Sequence, residues 1–314
     1  MPSSISQEGL FVIKPFRNQF PSEWSIQQYL ASQKKRVEDR IAKLPLGQGK
    51  ATKAKEAMAY ALNSPGKRFR PLLLLATTDI YQKGHLEIVL DAAVAVECIH
   101  TASLVFDDLP SMDNANLRRG RETTHRVFGE DQAILAGMSL IAEANMLLSK
   151  FATEKKFWKK HLECLHILNE SFSLEGLSGG QSDDLLKKAD LGFQELEYIH
   201  AKKTGSLFVA CTELASVLSD ASPKERQCLN AFSKNLGLAF QIQDDLLDTA
   251  DTAQTGKDQG QDRDRTTFVT IFGKKEATAI YEELIDVALR SLTPFGDAAH
   301  HLHQLTAIIR QRQS

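Results

Sequence analysis

Acidic side chains gather at two places in this sequence, each directly after an apolar run. The first cluster lies in "LVFDDLPSMDNANLRRG" and the second in "FQIQDDLLD". Aspartates this close repel one another unless a cation lies among them, and Mg2+ prefers hard oxygen ligands. A solvated acidic helix face would explain either cluster alone, but two clusters of one kind favour a magnesium site. The candidate ligands are Asp107, Asp108, Asp113, Asp244, Asp245 and Asp248.

Basic residues beside glycines or turns supply a second kind of chemistry. Arginine binds phosphate oxygens through two parallel hydrogen bonds, and lysine binds them as a point charge. A surface lysine is the simpler interpretation of any single site, but several such sites favour phosphate binding. The sequence has no P-loop motif, no H-E-x-x-H motif and no Ser/His/Asp arrangement. The candidates are Lys67, Arg68 and Arg70 on the glycine-led turn "GKRFRP", then Arg118, Arg119, Lys203 and Lys257.

The elements that must position these residues are predicted to be helices almost throughout. Apolar residues recur without proline from His85 to Phe106 and from Phe232 to Leu247, and each run is far longer than a strand. Pro71 and the pair Ser222–Pro223 are typical of first helical turns. The segment Ile134 to Leu148 is predicted to be a buried core helix, because it falls short of the roughly 20 apolar residues of a membrane span. We expect an all-α protein without a membrane span.

The overall composition excludes several classes of protein. The 314 residues are 42% hydrophobic, which predicts a globular chain, and the net charge of -2 gives no general attraction for nucleic acid. Four scattered cysteines form no C-x-x-C pair and fit a reducing cytoplasm. Residues 1–24 contain too short an apolar patch for a secretory signal, and we expect them to be a flexible lead-in.

Six motifs occur in the order and spacing seen in one enzyme family. They are "GKRFRP", "DDLPSMDNANLRRG", "SGGQSDDL", "KKTGSLF", "FQIQDDLLD" and "GKDQGQDRDRTTF", and they span residues 66–268. The chain thereby resembles the trans-isoprenyl diphosphate synthases, or polyprenyl synthetases. Within that family, "HTASLVFDD", "LRRGRETTH" and "DASPKERQCLNAF" are most similar to bacterial geranylgeranyl diphosphate synthases of carotenoid pathways.

This resemblance implies an all-helical single domain over residues 25–314, built around a deep central cavity, and a homodimer. The two aspartate clusters would face each other from opposing helices and hold Mg2+ ions that bridge the diphosphate of an allylic substrate. The implied enzyme is a prenyltransferase that condenses isopentenyl diphosphate head-to-tail with dimethylallyl, geranyl or farnesyl diphosphate.

The resemblance also implies roles for individual residues. The allylic diphosphate would be bound by Arg118, Lys203 and Lys257. Isopentenyl diphosphate would be bound by Gly66, Lys67, Arg70, His100 and Arg119. The reacting carbons would lie beside Thr204 and Gln241, whose dipoles can stabilise developing positive charge.

Two small side chains before the first aspartate cluster bear on product length. Ala102 and Ser103 lie one helical turn before Phe106 and Asp107, so a tail held at the aspartates would pass over them. Farnesyl-producing bacterial members of the family commonly carry an aromatic residue in the place of Ala102. Its absence predicts a C20 product, geranylgeranyl diphosphate, with C15 farnesyl diphosphate as the alternative. Close helix packing would also explain either small residue.

Two departures from the family pattern accompany these expectations. Ala115 and Asn116 stand where many members have further aspartates, and Asp264 and Arg265 stand where relatives usually have Gly-Lys. The three aspartates of the first motif are intact, which predicts that metal binding survives.

Two other functions stay open. A non-catalytic prenyl synthase subunit normally loses an aspartate cluster, and a class I terpene cyclase or squalene-type synthase needs no second diphosphate site of this kind.

Overall fold

The computed structural model describes six stretches of the chain, residues 25–44, 52–82, 86–150, 157–186, 191–248 and 267–311. Residues 1–24, with the expected lead-in, lie outside them. So do Lys257, Asp264 and Arg265. Asp248 ends a described helix, but its side chain lies outside the description.

Within these stretches the chain folds into α-helices joined by short turns. The α-helices are α1 (Ile26–Ala42), α2 (Lys53–Leu62), α3 (Phe69–Asp79), α4 (Leu86–Asp107), α5 (Thr124–Phe128), α6 (Glu130–Ser149), α7 (Trp158–Phe172), α8 (Leu177–Leu185), α9 (Phe193–His200), α10 (Ser206–Leu218), α11 (Pro223–Asp248), α12 (Phe268–Ser291) and α13 (His300–Arg310). A small hairpin pairs β1 (Leu117–Arg118) with β2 (Arg121–Glu122), a π-helix spans Ala201–Gly205, and a 3-10 helix spans Thr293–Ala299. The prediction of an all-α fold is confirmed.

Local sequence signals set where several helices begin. Ser222 precedes α11, and its Oγ accepts the backbone N–H of Glu225, while the Glu225 carboxylate accepts the N–H of Ser222. Such a capping box satisfies two donors at the helix start. Thr267 caps α12 by accepting the N–H of Thr270. Pro71 lies in the first turn of α3, where no internal acceptor exists for the N–H that proline lacks.

The core is built around α4 and α10, which are buried on nearly every side. The range from Val89 to Ala102 in α4 is buried at nearly every position, and α10 buries Leu207, Phe208, Cys211 and Leu214. A helix of this kind needs partners all round. Accordingly, α4 packs against α3 and α6, and α10 packs against α3, α7 and α11. Each large side chain buried in this way contributes about 1.5–3 kcal/mol.

Two glycines let α11 approach the π-helix that precedes α10. A Cβ on Gly237 would lie 3.1 Å from the Cα of Gly205 and 3.4 Å from the Cβ of Phe208. A larger residue at position 237 would therefore push the two helices apart. The approach matters for the site because Thr204 precedes Gly205, and Gln241 lies one turn after Gly237 on α11.

The prediction that the segment from Ile134 to Leu148 is a buried core helix is only half right. One side of α6 packs against α4. The other side exposes four large apolar side chains, each between 42% and 58% accessible, namely Ile134, Leu135, Met138 and Met146. Apolar residues recur on both sides of this helix, so its sequence does not show which side meets the core.

Two helical stretches, Glu87–Asp107 and Glu130–Ser149, are long and apolar enough to cross a membrane by length and composition. Most of the first is buried inside the protein, as expected for the core helix of a globular domain. Less than half of the second is buried, because it includes the exposed apolar side of α6.

Candidate active site

The first acidic cluster lies where α4 ends and the chain folds back. The backbone N–H of Asp113 donates to the carbonyl of Asp107 over 2.9 Å, and that of Ala115 donates to the carbonyl of Asp108 over 3.2 Å. Asn114 adopts a left-handed conformation with φ of 48°, which asparagine tolerates better than most residues. The turn therefore brings the third aspartate back to the first two.

Asp107 lies in an unfavourable place for a negative charge. Burial raises its pKa to about 6. Asp113 and Asp108 add to this rise in pKa, whereas Lys203 and Arg118 oppose it. A carboxylate crowded by other carboxylates is stabilised when a cation binds beside it. The influence of Lys203 also shows that this distant part of the chain folds back onto the first cluster.

Asp108 differs from its neighbours because Arg118 already provides its counter-charge. Its Oδ1 accepts hydrogen bonds from Nε and Nη2 of Arg118, over 2.9 and 2.5 Å. Arg118 reaches it from β1, which follows the turn directly. Asp108 is almost fully buried, whereas Asp107 and Asp113 are partly exposed. Asp108 therefore orients Arg118, and the other two carboxylates stay accessible.

The second acidic cluster, on α11, also contains a buried carboxylate beside a partly exposed one. Asp245 is buried, and its Oδ2 accepts the backbone N–H of Phe268 over 3.1 Å. Its Oδ1 accepts a hydrogen bond from the side-chain amide of Gln241 over 3.2 Å. The contact with Phe268 ties the start of α12 to α11 and satisfies a backbone donor of the first helical turn. Asp244 is the partly exposed carboxylate of this pair.

The π-helix connects the two acidic clusters. A π turn inside an α-helical run is uncommon and frequently marks a functional site, and this one carries Lys203 and Thr204. Thr204 Oγ1 donates to Gln241 Oε1 over 3.0 Å, on the helix of the second cluster. The charge of Lys203 acts on Asp107 in the first cluster. Neighbouring residues of this π turn therefore reach both clusters, Lys203 the first and Thr204, through Gln241, the second.

Helix α8 supports the π-helix through residues to which the sequence analysis gave no role. Lys203 Nζ donates to Asp184 Oδ2 over 2.6 Å, which fixes the direction of the lysine side chain. A Cβ on Gly180 would overlap the backbone nitrogen of Lys203, so only glycine allows this close approach. Both residues belong to "SGGQSDDL". An acidic residue shortly after a glycine pair is the sequence signal that could have identified this support for Lys203.

The residues expected to bind isopentenyl diphosphate also come together. Arg70 Nη1 lies 3.2 Å from His100 Nε2, and the histidine nitrogen accepts this hydrogen bond. Burial lowers the pKa of His100 well below its usual value, and Arg70, Arg119, Arg118 and Arg68 lower it further. His100 is therefore neutral, and it lies within a group of four arginines.

Arg119 explains the glycine that opens "GKRFRP". Its Nη1 donates to the carbonyl of Pro65 over 2.9 Å. A Cβ on Gly66 would overlap the same nitrogen, so glycine leaves room for the guanidinium. Gly66 therefore admits the Arg119 guanidinium in this position, and a larger residue would shift it. Lys67 is exposed directly beside it.

The two positions expected to set product length differ in exposure. Ser103 is partly exposed and lies one turn before Asp107 on the same side of α4. Its Oγ donates to the carbonyl of His100 over 2.9 Å. Ala102 is only 1% exposed and belongs to the main core cluster. Ser103 therefore has the clearer access to the space around Asp107.

Among the described residues, no three acidic, histidine or cysteine side chains are close enough to hold a metal ion by themselves. Mg2+ does not require such a cage, because it keeps several waters and usually binds one or two carboxylates together with substrate phosphates. Asp107, Asp113 and Asp244 fit this pattern, since each is partly exposed.

Most of the chain matches one protein family, because residues 51–294 fit the family model of polyprenyl synthetase. The chain belongs to the polyprenyl synthetase family. It is 37% identical over 293 residues to a farnesyl diphosphate synthase of Geobacillus stearothermophilus, which covers 91% of this chain and 98% of that protein. It is 39% identical over 268 residues to a geranylgeranyl diphosphate synthase of Pseudescherichia vulneris, which covers 81% of this chain and 86% of that protein.

A solved structure agrees with this assignment to the polyprenyl synthetases. The geranyltransferase of Helicobacter pylori, complexed with magnesium and isoprenyl diphosphate, matches with a TM-score of 0.81 at 27% identity. The match covers 93% of this chain and 100% of that chain. The present polyprenyl synthetase is a short-chain trans-prenyltransferase. The expected family, fold class and enzyme class are confirmed.

The substitution Gly180→Ala tests how closely α8 must approach the π-helix. The new methyl group would push the backbone at Lys203 away, and overpacking of this kind costs about 1–3 kcal/mol. We expect thermal unfolding at a lower temperature. We also expect prenyl-transfer turnover to fall by about a hundredfold, because this change would displace Lys203, which is expected to bind the allylic diphosphate. The control is Ser182→Ala on the exposed side of α8, which should change neither measurement. Wild-type unfolding and turnover in Gly180→Ala would contradict the described packing.

Proposed function

We propose that this polyprenyl synthetase condenses isopentenyl diphosphate head-to-tail with allylic diphosphates, using Mg2+, and that its main product is C20 geranylgeranyl diphosphate. The observation that carries this proposal is that one π turn links the two acidic clusters, the first through Lys203 and the second through Thr204 and Gln241, beside a group of arginines. C15 farnesyl diphosphate is the alternative product, because relatives of both names are similarly close.

Two groups of cations support the use of two diphosphate substrates. Lys203 and Arg118, both beside the aspartates, would bind the allylic diphosphate. Arg70 and Arg119, with Lys67 three residues before Arg70, would bind isopentenyl diphosphate. A terpene cyclase ionises a single diphosphate and needs no second group of this kind. The arrangement therefore favours condensation over cyclisation. The role expected for Lys257 stays a prediction.

Mg2+ would be held by the three accessible carboxylates, those of Asp107, Asp113 and Asp244. When bound, the ions supply positive charge against the departing diphosphate. Asp108 and Asp245 would act indirectly, because the first orients Arg118 and the second anchors α12. Asp248 is assigned from its motif spacing alone. The magnesium complex of the Helicobacter pylori geranyltransferase supports this choice of metal.

Ionisation of the allylic substrate breaks its carbon–oxygen bond and leaves a carbocation. Lys203 and Arg118 would stabilise the negative charge that develops on the leaving diphosphate. The cation would lie near Thr204 and Gln241, whose side-chain oxygens are brought together by their hydrogen bond. Partial negative charge on those oxygens stabilises a neighbouring positive carbon. The second hydrogen bond of Gln241, to Asp245, holds its amide in this orientation.

Formation of the new carbon–carbon bond needs no protein nucleophile. The double bond of isopentenyl diphosphate attacks the cation, and a proton then passes to the released diphosphate. His100 is not placed for this proton transfer, because its Nε2 already accepts from Arg70. Water would quench the cation, so the reaction needs apolar surroundings. The rings of Phe69, Phe208 and Phe240 pack together beside Arg70 and supply part of them.

A second copy of the chain would cover the exposed side of α6 and α7. Trp158 and Leu162 on α7 are 51% and 65% exposed. Asn169 of α7 donates to Asn145 of α6, so this side of α7 adjoins the exposed apolar side of α6. Contiguous exposed apolar surface of this kind is typical of interaction sites. The proposed assembly is therefore a homodimer, and each chain forms one domain over residues 25–314. The proposed location is the cytoplasm, where the free cysteines stay reduced.

The substitutions Asp107→Asn and Asp244→Asn test the metal assignment. Each should lower turnover by orders of magnitude, because each would remove a Mg2+ ligand needed for ionisation. Turnover is measured as incorporation of labelled isopentenyl diphosphate onto an allylic primer, with Mg2+ limiting. Glu56→Gln, on the exposed side of α2, is the matched control and should retain full activity. Near-normal turnover in both aspartate variants would contradict the assignment of Asp107 and Asp244 as Mg2+ ligands.

An aromatic side chain before Asp107 tests the path of the growing tail. Ser103→Phe and Ala102→Tyr should each shorten the main product from C20 to C15, as seen by chromatography of the dephosphorylated products. Ala102→Tyr should also lower stability, because Ala102 is packed in the core. The control Ser103→Ala keeps the side chain small and should keep the C20 product. A wild-type C15 product, or C20 from both aromatic variants, would show that the tail takes another path.

The substitution Met138→Glu tests the proposed dimer surface. A charge at this position on α6 would have to be buried between two copies, and an unpaired buried charge is strongly unfavourable. The particle mass from light scattering should fall from two chains to one. Leu186→Glu, at another exposed apolar position, is the control and should remain dimeric. A wild-type monomer, or a dimeric Met138→Glu variant, would rule out this surface.

A further inference from the structure

Arg68, in the middle of "GKRFRP", points into the protein and towards α4. Its Nη1 lies 2.6 Å from Oε1 of Glu97, and the two side chains are only 5% and 3% exposed. Neither residue has a role in the reaction described above. Stability alone does not explain so deeply buried an ion pair, because apolar side chains of similar size often stabilise a core at least as well.

The same guanidinium also holds the loop in front of α3. Its Nη2 donates to the carbonyls of Leu62 and Ser64, over 2.9 and 3.0 Å. Leu62 ends α2, and its carbonyl is one of those that a helix leaves without an internal partner. Arg68 thereby joins three segments: the end of α2, the loop that follows it, and α4.

These segments carry the residues proposed to bind isopentenyl diphosphate. Lys67 precedes Arg68 directly, and Arg70 follows it two residues later. On α4, Glu97 lies one turn before His100, whose ring accepts the hydrogen bond from Arg70. A shift of the loop relative to α4 would therefore separate groups that must bind the same diphosphate.

The backbone at Arg68 adopts a left-handed conformation, with φ of 52° and ψ of 35°. A residue with a Cβ is strained there and stays so only when its surroundings hold it. The contacts of the guanidinium with Glu97, Leu62 and Ser64 provide that restraint. They fix a sharp change of chain direction just before α3.

Glu97 also counters the repulsion among neighbouring arginines. Burial lowers the pKa of Arg70, and Glu97 opposes this shift. Burial also lowers the pKa of Arg119, where Glu97 opposes the shift and Arg68 adds to it. A carboxylate in this place lets several arginines remain charged and close together before a diphosphate arrives.

We propose that Arg68 and Glu97 are positioning residues for isopentenyl diphosphate. Their ion pair holds Lys67 and Arg70 in the arrangement that binds the diphosphate, although neither Arg68 nor Glu97 touches it. This role rests on the proposed function. Loss of the pair should weaken the use of isopentenyl diphosphate and leave the allylic site unchanged, because Lys203 is held there by Asp184 and Arg118 by Asp108.

Three variants separate positioning from a simple contribution to stability. Arg68→Met and Glu97→Gln each leave a buried partner without its counter-charge, so both should unfold at lower temperature. The double variant Arg68→Met/Glu97→Leu removes both charges and should regain most of that stability. It still lacks the contacts with Leu62 and Ser64. In all three variants we expect the KM for isopentenyl diphosphate to rise about tenfold or more, with the allylic KM within about twofold of wild type.

Arg40 and Asp91 provide a matched control. Arg40 Nη2 lies 2.6 Å from Asp91 Oδ1, so this largely buried pair joins α1 to α4, the helix that also carries Glu97. Arg40→Met should lower stability without changing either KM.

Two results would overturn the role of the Arg68–Glu97 pair. One is recovery of the KM for isopentenyl diphosphate in the double variant together with its stability, and the other is an equal rise of both KM values. Wild-type condensation is measured separately. If the wild-type enzyme does not condense isopentenyl diphosphate, the proposed function is wrong, and so is the positioning role of Arg68 and Glu97.

Discussion

Like charges are crowded together in this site, and the fold keeps them there by pairing some of them internally. Asp108 is neutralised by Arg118, Lys203 is held by Asp184, and Arg68 is held by Glu97. These pairs fix side chains in both proposed substrate sites. The side chains that stay accessible are mainly carboxylates at the end of α4 and basic groups near α3. Metal ions and diphosphates can complete this charge balance, since they carry the opposite signs.

The apolar parts of the fold make this crowding possible. Core helices packed on every side resist the movement that repulsion would otherwise cause. Glycines then bring backbones close where the site needs it, at Gly180 beside Lys203 and at Gly237 beside Gly205. The second approach brings Gln241 on α11 to Thr204, and the two side chains form a hydrogen bond there. Positions without side chains thus determine where the reactive side chains lie.

The sequence predicts much of the fold and part of the site. Helix periodicity located α4 and α11, and the capping signal at Ser222 located a helix start. Spacing also identified both aspartate clusters. It could not separate Asp108 and Asp245 from their neighbours, because that difference comes from tertiary partners far away in the chain. The exposed side of α6 and the support from Asp184 were missed for the same reason.

The raised pKa of Asp107 would couple folding and proton binding to the proposed metal binding. Its ordinary pKa is 3.8, whereas burial in the folded protein raises it to about 6. Between these values the folded state binds more protons than the unfolded state, so this residue makes the metal-free fold less stable as pH rises through that window. A metal ion binds only the ionised carboxylate. Near pH 6, magnesium uptake at Asp107 would therefore release about half a proton. The calorimetric heat of magnesium binding should then depend on the ionisation enthalpy of the buffer.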